Sequence, residues 1–172
     1  MVIWIIGLSG VGKTTLAEKV VNCVRERGRQ VVLLDGDEIR ALFNNDLGHD
    51  MESRKENAGR ICRLCAMLDK QGIDVICAIL SLFAESRNWC RENLSSYFEV
   101  FIDSPIELLI KRDSKGLYGR YARGEINEVA GLDLEFRPPS CPEMIIKNTG
   151  GLDELIKHAS IISEKICEKV SK

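Results

Sequence analysis

Gly7-Leu8-Ser9-Gly10-Val11-Gly12-Lys13-Thr14 lies between an apolar, β-branched run, Val2 to Ile6, and a stretch of helical spacing that begins at Thr14. The octapeptide satisfies G-x-x-x-x-G-K-[ST], and a strand feeding such a turn and then a helix is the context in which this pattern cradles phosphate. The glycines let backbone N–H groups turn inward around phosphate oxygens. Lys13 neutralises β- and γ-phosphate charge, and the Thr14 hydroxyl is a ligand for Mg²⁺. The expected phosphate-binding residues are Gly7, Ser9, Gly10, Gly12, Lys13, Thr14 and Thr15, with ATP or GTP as the nucleotide. A glycine-rich turn with a stray lysine is the bland alternative, and the strand and helix on either side argue against it.

Outward from this loop, the apolar character of the first strand recurs at Val31 to Leu34, Ile73 to Leu80, Phe98 to Ile102 and Met144 to Ile146. Helical spacing fills the intervals: Thr14 to Glu26, Arg54 to Lys70, Ser86 to Ser95, Pro105 to Arg112 and Leu152 to Val170. Strand and helix alternate, which predicts right-handed crossovers and an α/β fold. Its sheet is parallel, five-stranded and covered by helices on both faces. Gly28 and Gly72 fit helix C′ positions. From Asp113 to Pro142 the alternation fails among glycines, prolines and charges, and this segment is expected to be a lid or substrate loop.

The chain has 172 residues, enough for one well-buried domain, so residues 1–172 are expected to form a single unit. Its 24 basic and 26 acidic side chains give a formal charge of −2, which leaves no broad positive field for a nucleic acid polymer or an anionic membrane. The first apolar run meets Gly7 too early for a signal peptide or a spanning helix, so a cytoplasmic protein is expected. Seven scattered cysteines are read as reduced thiols, and Cys62-x-x-Cys65 as buried small hydrophobes, since no second pair or histidine completes a metal set.

A second motif, Leu34-Asp35-Gly36-Asp37 with Arg40 beyond it, puts two carboxylates at the C-terminal end of the second strand, where parallel sheets bind ligands. One carboxylate can hold Mg²⁺ or its water while the other takes a proton from an acceptor hydroxyl. A helix N-cap with solvated charges is the structural alternative.

With these residues in place the chain resembles the adenylylsulfate kinases, phosphate-loop enzymes that phosphorylate the ribose 3′-hydroxyl of adenosine 5′-phosphosulfate. The resemblance rests on the Gly7–Thr14 loop, Leu34 to Asp37 with Arg40, and Leu47-Gly48 followed by Arg54, Glu56, Asn57 and Arg60. It continues with Ser81, with Arg112-Asp113-Ser114-Lys115-Gly116-Leu117-Tyr118, and with Gly131 and Asp133. It implies the P-loop NTPase fold, Mg²⁺, ATP as co-substrate and a small nucleotide acceptor; a homodimer is left open. Asp37, Lys13 and Ser81 are the implied catalytic group. Asp35, Arg40, His49, Arg54, Asn57, Leu80, Lys115, Gly116, Leu117 and Val129 are implied around the acceptor, and Thr14 and Asp35 at the metal. For Ser81 a hydrogen bond to a substrate phosphate or sugar and a plain strand-end role stand beside catalysis.

Two departures from that family concern the acceptor base. His49 follows Leu47-Gly48 where a phenylalanine is usual, and Val129 precedes Ala130-Gly131 where another is usual. Each lost stacking face removes about 0.5–1.5 kcal/mol beyond area burial. A relative that phosphorylates cytidine diphosphoramidate is therefore an alternative reading, and a nucleotide-dependent regulatory module is the alternative from another class.

Overall fold

The computed structural model describes residues 1–168. Five strands, β1 (Val2–Ile6), β2 (Val31–Asp35), β3 (Asp74–Ile79), β4 (Tyr97–Asp103) and β5 (Met144–Lys147), form one parallel sheet in the order β2-β3-β1-β4-β5. β1 is therefore central, and all five of its residues are buried. Its alternation assigns Ile3 and Ile5 to one face of the sheet and Val2, Trp4 and Ile6 to the other. The first face is covered by α1 (Lys13–Glu26) and by α8 (His158–Glu168), the second by α3 (Met51–Lys70) and α4 (Ala84–Asn93). Burial on both sides explains why the strands read as unbroken apolar runs.

All five expected strands and the α/β class are present, with boundaries shifted by no more than one residue. Gly28 and Gly72 follow the C-caps of α1 and α3 with φ of 74° each. Three features depart from the reading by periodicity. Two short helices, α2 (Gly36–Leu42) and α6 (Leu117–Ala122), were too brief to show a period, and both begin under a carboxylate. Asp35 caps α2 by accepting from the Asp37 N–H at 2.9 Å, and Asp113 accepts from the N–H groups of Tyr118 and Gly119 at 3.0 and 2.8 Å. The stretch read as one helix from Leu152 is two, α7 (Leu152–Ile156) and α8, parted at Lys157; its expected end at Val170 lies outside the described residues. α5 (Ile106–Arg112) completes the set.

The phosphate loop is fixed where β1 meets α1. A Cβ on Gly7 would lie 2.8 Å from the Ile102 carbonyl of neighbouring β4, so only glycine fits this approach. Gly12, at φ 97°, turns the chain into α1 in a left-handed conformation, and no side chain caps the first amides of that helix. Among the described residues no helix is long and apolar enough to cross a membrane. The seven cysteines are free thiols, and Cys62 and Cys65 are buried against the second face of the sheet.

Candidate active site

The C-terminal ends of β1, β2 and β3 lie side by side, with Ile6 in register with Ile79 and Asp35 with Ala78. That arrangement brings the phosphate loop, the Asp35–Asp37 corner and Ser81 to one crevice. Lys13 curls back over its own loop and donates to the Leu8 carbonyl at 2.9 Å. Burial, with Lys115 nearby, lowers its pKa to about 8 against the opposing pull of Asp35 and Asp37. Thr14 Oγ1 donates to Asp35 Oδ2 at 2.7 Å, so both groups expected at a metal share one point above the loop. Asp35 thus serves as N-cap with one oxygen and faces Thr14 with the other, which joins the two roles that the sequence left as alternatives.

Asp37, one residue into α2, points outward from the crevice floor and pairs with Lys115 Nζ at 2.9 Å. Burial opposes its ionisation, but the hydrogen bond and charge of Lys115, with Lys13 and His49 beyond, outweigh burial and hold its carboxyl below the ordinary range. Lys115 belongs to the 113–142 segment, which lies across the crevice. Tyr118 OH donates to the Ser9 carbonyl at 3.0 Å, tying that segment to the phosphate loop itself. Further along, Asp133 accepts from the N–H groups of Glu128 and Val129 at 2.8 and 2.7 Å, shaping the turn that carries Val129. Gly116 at φ 64° and Leu117 begin α6 at the same end of the segment.

The side of the crevice where the resemblance expects the acceptor is built by α2, α3 and the loop between them. Arg40 is buried and donates to the carbonyls of Gly48 and Leu47 at 2.6 and 3.3 Å, so in this state it organises the Leu47–His49 loop. Arg54 spans two walls, donating from Nε to the His49 carbonyl and from NH2 to the Glu128 carbonyl at 3.0 Å. One guanidinium therefore ties the backbone of His49 to that of Glu128, the residue before Val129. His49 is exposed at its surface, but partial desolvation of the ring, with the charges of Arg40 and Arg54, lowers its pKa and favours the neutral ring. Val129 is buried among core side chains. Asn57 on α3 is 5% exposed and its Oδ1 has no hydrogen-bond partner among the described residues. Leu80 is half-buried, and Ser81 follows it in a left-handed conformation with its Oγ accepting from Trp4 Nε1 at 3.0 Å.

Several participants escape a reading of the sequence. Trp4 is one more apolar residue of β1 until its indole N–H is seen to reach Ser81. Asn148, just past β5, donates from Nδ2 to the Val11 carbonyl at 3.0 Å and braces the phosphate loop from 137 positions away. Arg87 on α4 donates to the Ser81 carbonyl at 2.8 Å. These contacts join distant segments, and no local motif announces them.

Residues 1–147 match the family model for adenylylsulphate kinase. An adenylyl-sulfate kinase of Paraburkholderia xenovorans is 38% identical over 163 residues, covering 91% of each chain. A probable adenylyl-sulfate kinase of Bacillus subtilis is 40% identical over 147 residues, 84% of this chain and 75% of its own. In three dimensions the chain resembles the APS kinase of Mycobacterium tuberculosis, solved in complex with AMPPNP and APS. The TM-score is 0.86 at 33% identity, covering 95% of this chain and 96% of that one.

Proposed function

The chain belongs to the adenylylsulphate kinase family, with its P-loop NTPase fold, and on that premise we propose that it transfers the γ-phosphate of ATP to the ribose 3′-hydroxyl of adenosine 5′-phosphosulfate. The observation that carries this reading is the Asp37–Lys115 pair beside the phosphate loop. It holds a carboxylate ionised where an acceptor hydroxyl would meet the γ-phosphate, a device that a nucleotide-dependent switch has no use for.

In the proposed reaction the amides of Gly7 to Thr15 and the Lys13 ammonium hold the ATP phosphates. Thr14 and Asp35, 2.7 Å apart, fit Mg²⁺, which takes one or two protein oxygens and completes its shell with phosphate and water. Bound there, Mg²⁺ would neutralise charge on the transferring phosphoryl group. Asp37 orients the 3′-hydroxyl and accepts its proton as the O3′–P bond forms and the bond to the β-phosphate bridging oxygen breaks, releasing ADP. A depressed pKa makes Asp37 a weak base, which suits a loose transition state in which the proton leaves late. Arg54, Asn57, Lys115, Gly116 and Leu117 contact the acceptor's anionic groups and sugar. Arg40 holds the loop that presents His49, and His49, Leu80 and Val129 border the base. Ser81, with its oxygen already accepting from Trp4, retains one O–H to donate to substrate and serves there as a positioning group.

We further propose that residues 1–172 act as one kinase domain in the cytoplasm, with 113–142 closing over both nucleotides. The test is a coupled ADP-release assay offering adenosine 5′-phosphosulfate and cytidine diphosphoramidate separately. Saturable, Mg²⁺-dependent turnover of the adenosine compound supports the reading, and turnover of the cytidine compound alone defeats it.

A further inference from the structure

Ser81, two residues past the end of β3, has φ 54°, a left-handed geometry that costs a non-glycine residue about 1–2 kcal/mol. Trp4 holds its side chain, and Arg87 holds its backbone through the 2.8 Å bond to the carbonyl. Arg87 is only 6% exposed, and a buried guanidinium is costly unless its charge and donors are answered. The answering charge is Glu99 on β4, fully buried, with Oε2 3.9 Å from Arg87 Nε. Glu99 is itself fixed: Oε2 accepts from Tyr97 OH at 2.8 Å and pairs with Arg91 NH1 at 3.1 Å. A cavity of about 300 Å³ borders Arg87 and Glu99, with exposed Asn88 and Ser140 at its wall.

An apolar side chain would fill the Arg87 position without the cost of burying charge, so the guanidinium is there for what it holds. What it holds is the corner between the phosphate loop on β1 and the Asp35–Asp37 turn on β2. We propose that Arg87 is a positioning residue for the acceptor. Oriented by Glu99, it fixes Ser81 in its left-handed conformation and so sets the wall formed by Leu80 and Ser81. The inference rests on the reading of that wall as part of the acceptor site.

The cavity supplies a test by chemical rescue. In Arg87→Ala the acceptor KM should rise about tenfold, ~1.4 kcal/mol, while the KM for ATP stays within about twofold. Millimolar guanidinium, entering beside Glu99, should restore the acceptor KM, whereas urea, equal in shape and uncharged, should not. A crystal structure of the variant should show Ser81 outside the left-handed region. Proportional rises in both KM values, an unchanged acceptor KM, no rescue by guanidinium, or Ser81 still left-handed would each overturn the proposal. Should Arg87→Ala not fold, Arg87→Lys keeps a cation against Glu99 and should give an intermediate acceptor KM; wild-type constants in it would count against the proposal. If the wild-type protein fails to phosphorylate adenosine 5′-phosphosulfate, the functional reading falls, while the Ser81 geometry in the variant still decides what Arg87 holds.

Discussion

Lys115 reaches across the crevice to Asp37, Nζ to Oδ2 at 2.9 Å, joining the 113–142 segment to the start of α2. The two side chains are 56% and 71% exposed, so water and salt screen the pair and its worth to folding is small. Its importance lies in what it does to the carboxylate. Asp37→Asn should bind ATP normally and lose phosphoryl transfer by about 10²-fold or more, with the melting temperature nearly unchanged. Single-turnover kinetics and ATP titration check both halves, and undiminished transfer would remove Asp37 from the reaction.

Asp35 carries two duties that substitution separates. Asparagine can still accept from the Asp37 N–H and cap α2, but it presents no charge to a metal beside Thr14. Asp35→Asn is expected to fold with wild-type stability and to need much more Mg²⁺ for half-maximal activity. Asp35→Ala should in addition lose about 1 kcal/mol of stability with the cap. A Mg²⁺ titration alongside thermal melts distinguishes the two variants.

Lys13 in the free protein has its pKa lowered to about 8 by burial and Lys115. ATP requires the ammonium form, and deprotonation occurs as pH rises. kcat/KM for ATP should therefore be level below that pH and fall about tenfold per unit well above it. An initial-rate pH profile with ATP limiting reads this directly. A profile level to pH 10 would show Lys13 charged throughout.

In the proposed function His49 and Val129 border the acceptor base, and they differ in how they accept change. His49 is exposed, so His49→Phe adds a stacking face at no packing cost and should lower the acceptor KM several-fold, on the order of 0.5–1.5 kcal/mol. Val129 is 3% exposed within the core, and Val129→Phe should overpack it at a cost of about 1–3 kcal/mol. KM for adenosine 5′-phosphosulfate and chemical denaturation measure the two effects.

The parts of this protein that were legible in the sequence share one property: local pattern. The apolar strands, the long amphipathic helices and the phosphate loop are each specified by neighbours in the chain, and they are found close to where the pattern puts them, except that the last helix divides at Lys157. The candidate site was legible to the extent that its groups sit in motifs, as Lys13, Thr14, Asp35 and Asp37 do. What could not be read depends on distant segments meeting. Arg40 reads only as a cation for the acceptor until it is seen bonded to the Leu47 and Gly48 carbonyls. Asn148, Trp4 and Arg87 matter only because the sheet order delivers them to the crevice. The short helices α2 and α6 owe their existence to capping carboxylates and have too few turns for a period to show.

The bond from the Trp4 indole to Ser81 Oγ has an optical consequence. The chain contains two tryptophans, Trp4 with no exposed surface and Trp89, 37% exposed on α4. Replacing Trp89 with phenylalanine would leave a single fluorophore, shielded from solvent and quenchers, whose excited-state dipole is hydrogen-bonded to a hydroxyl at the crevice. Its emission would follow occupancy of that crevice without any attached label, so nucleotide binding could be timed by stopped-flow in a chain altered at that one position.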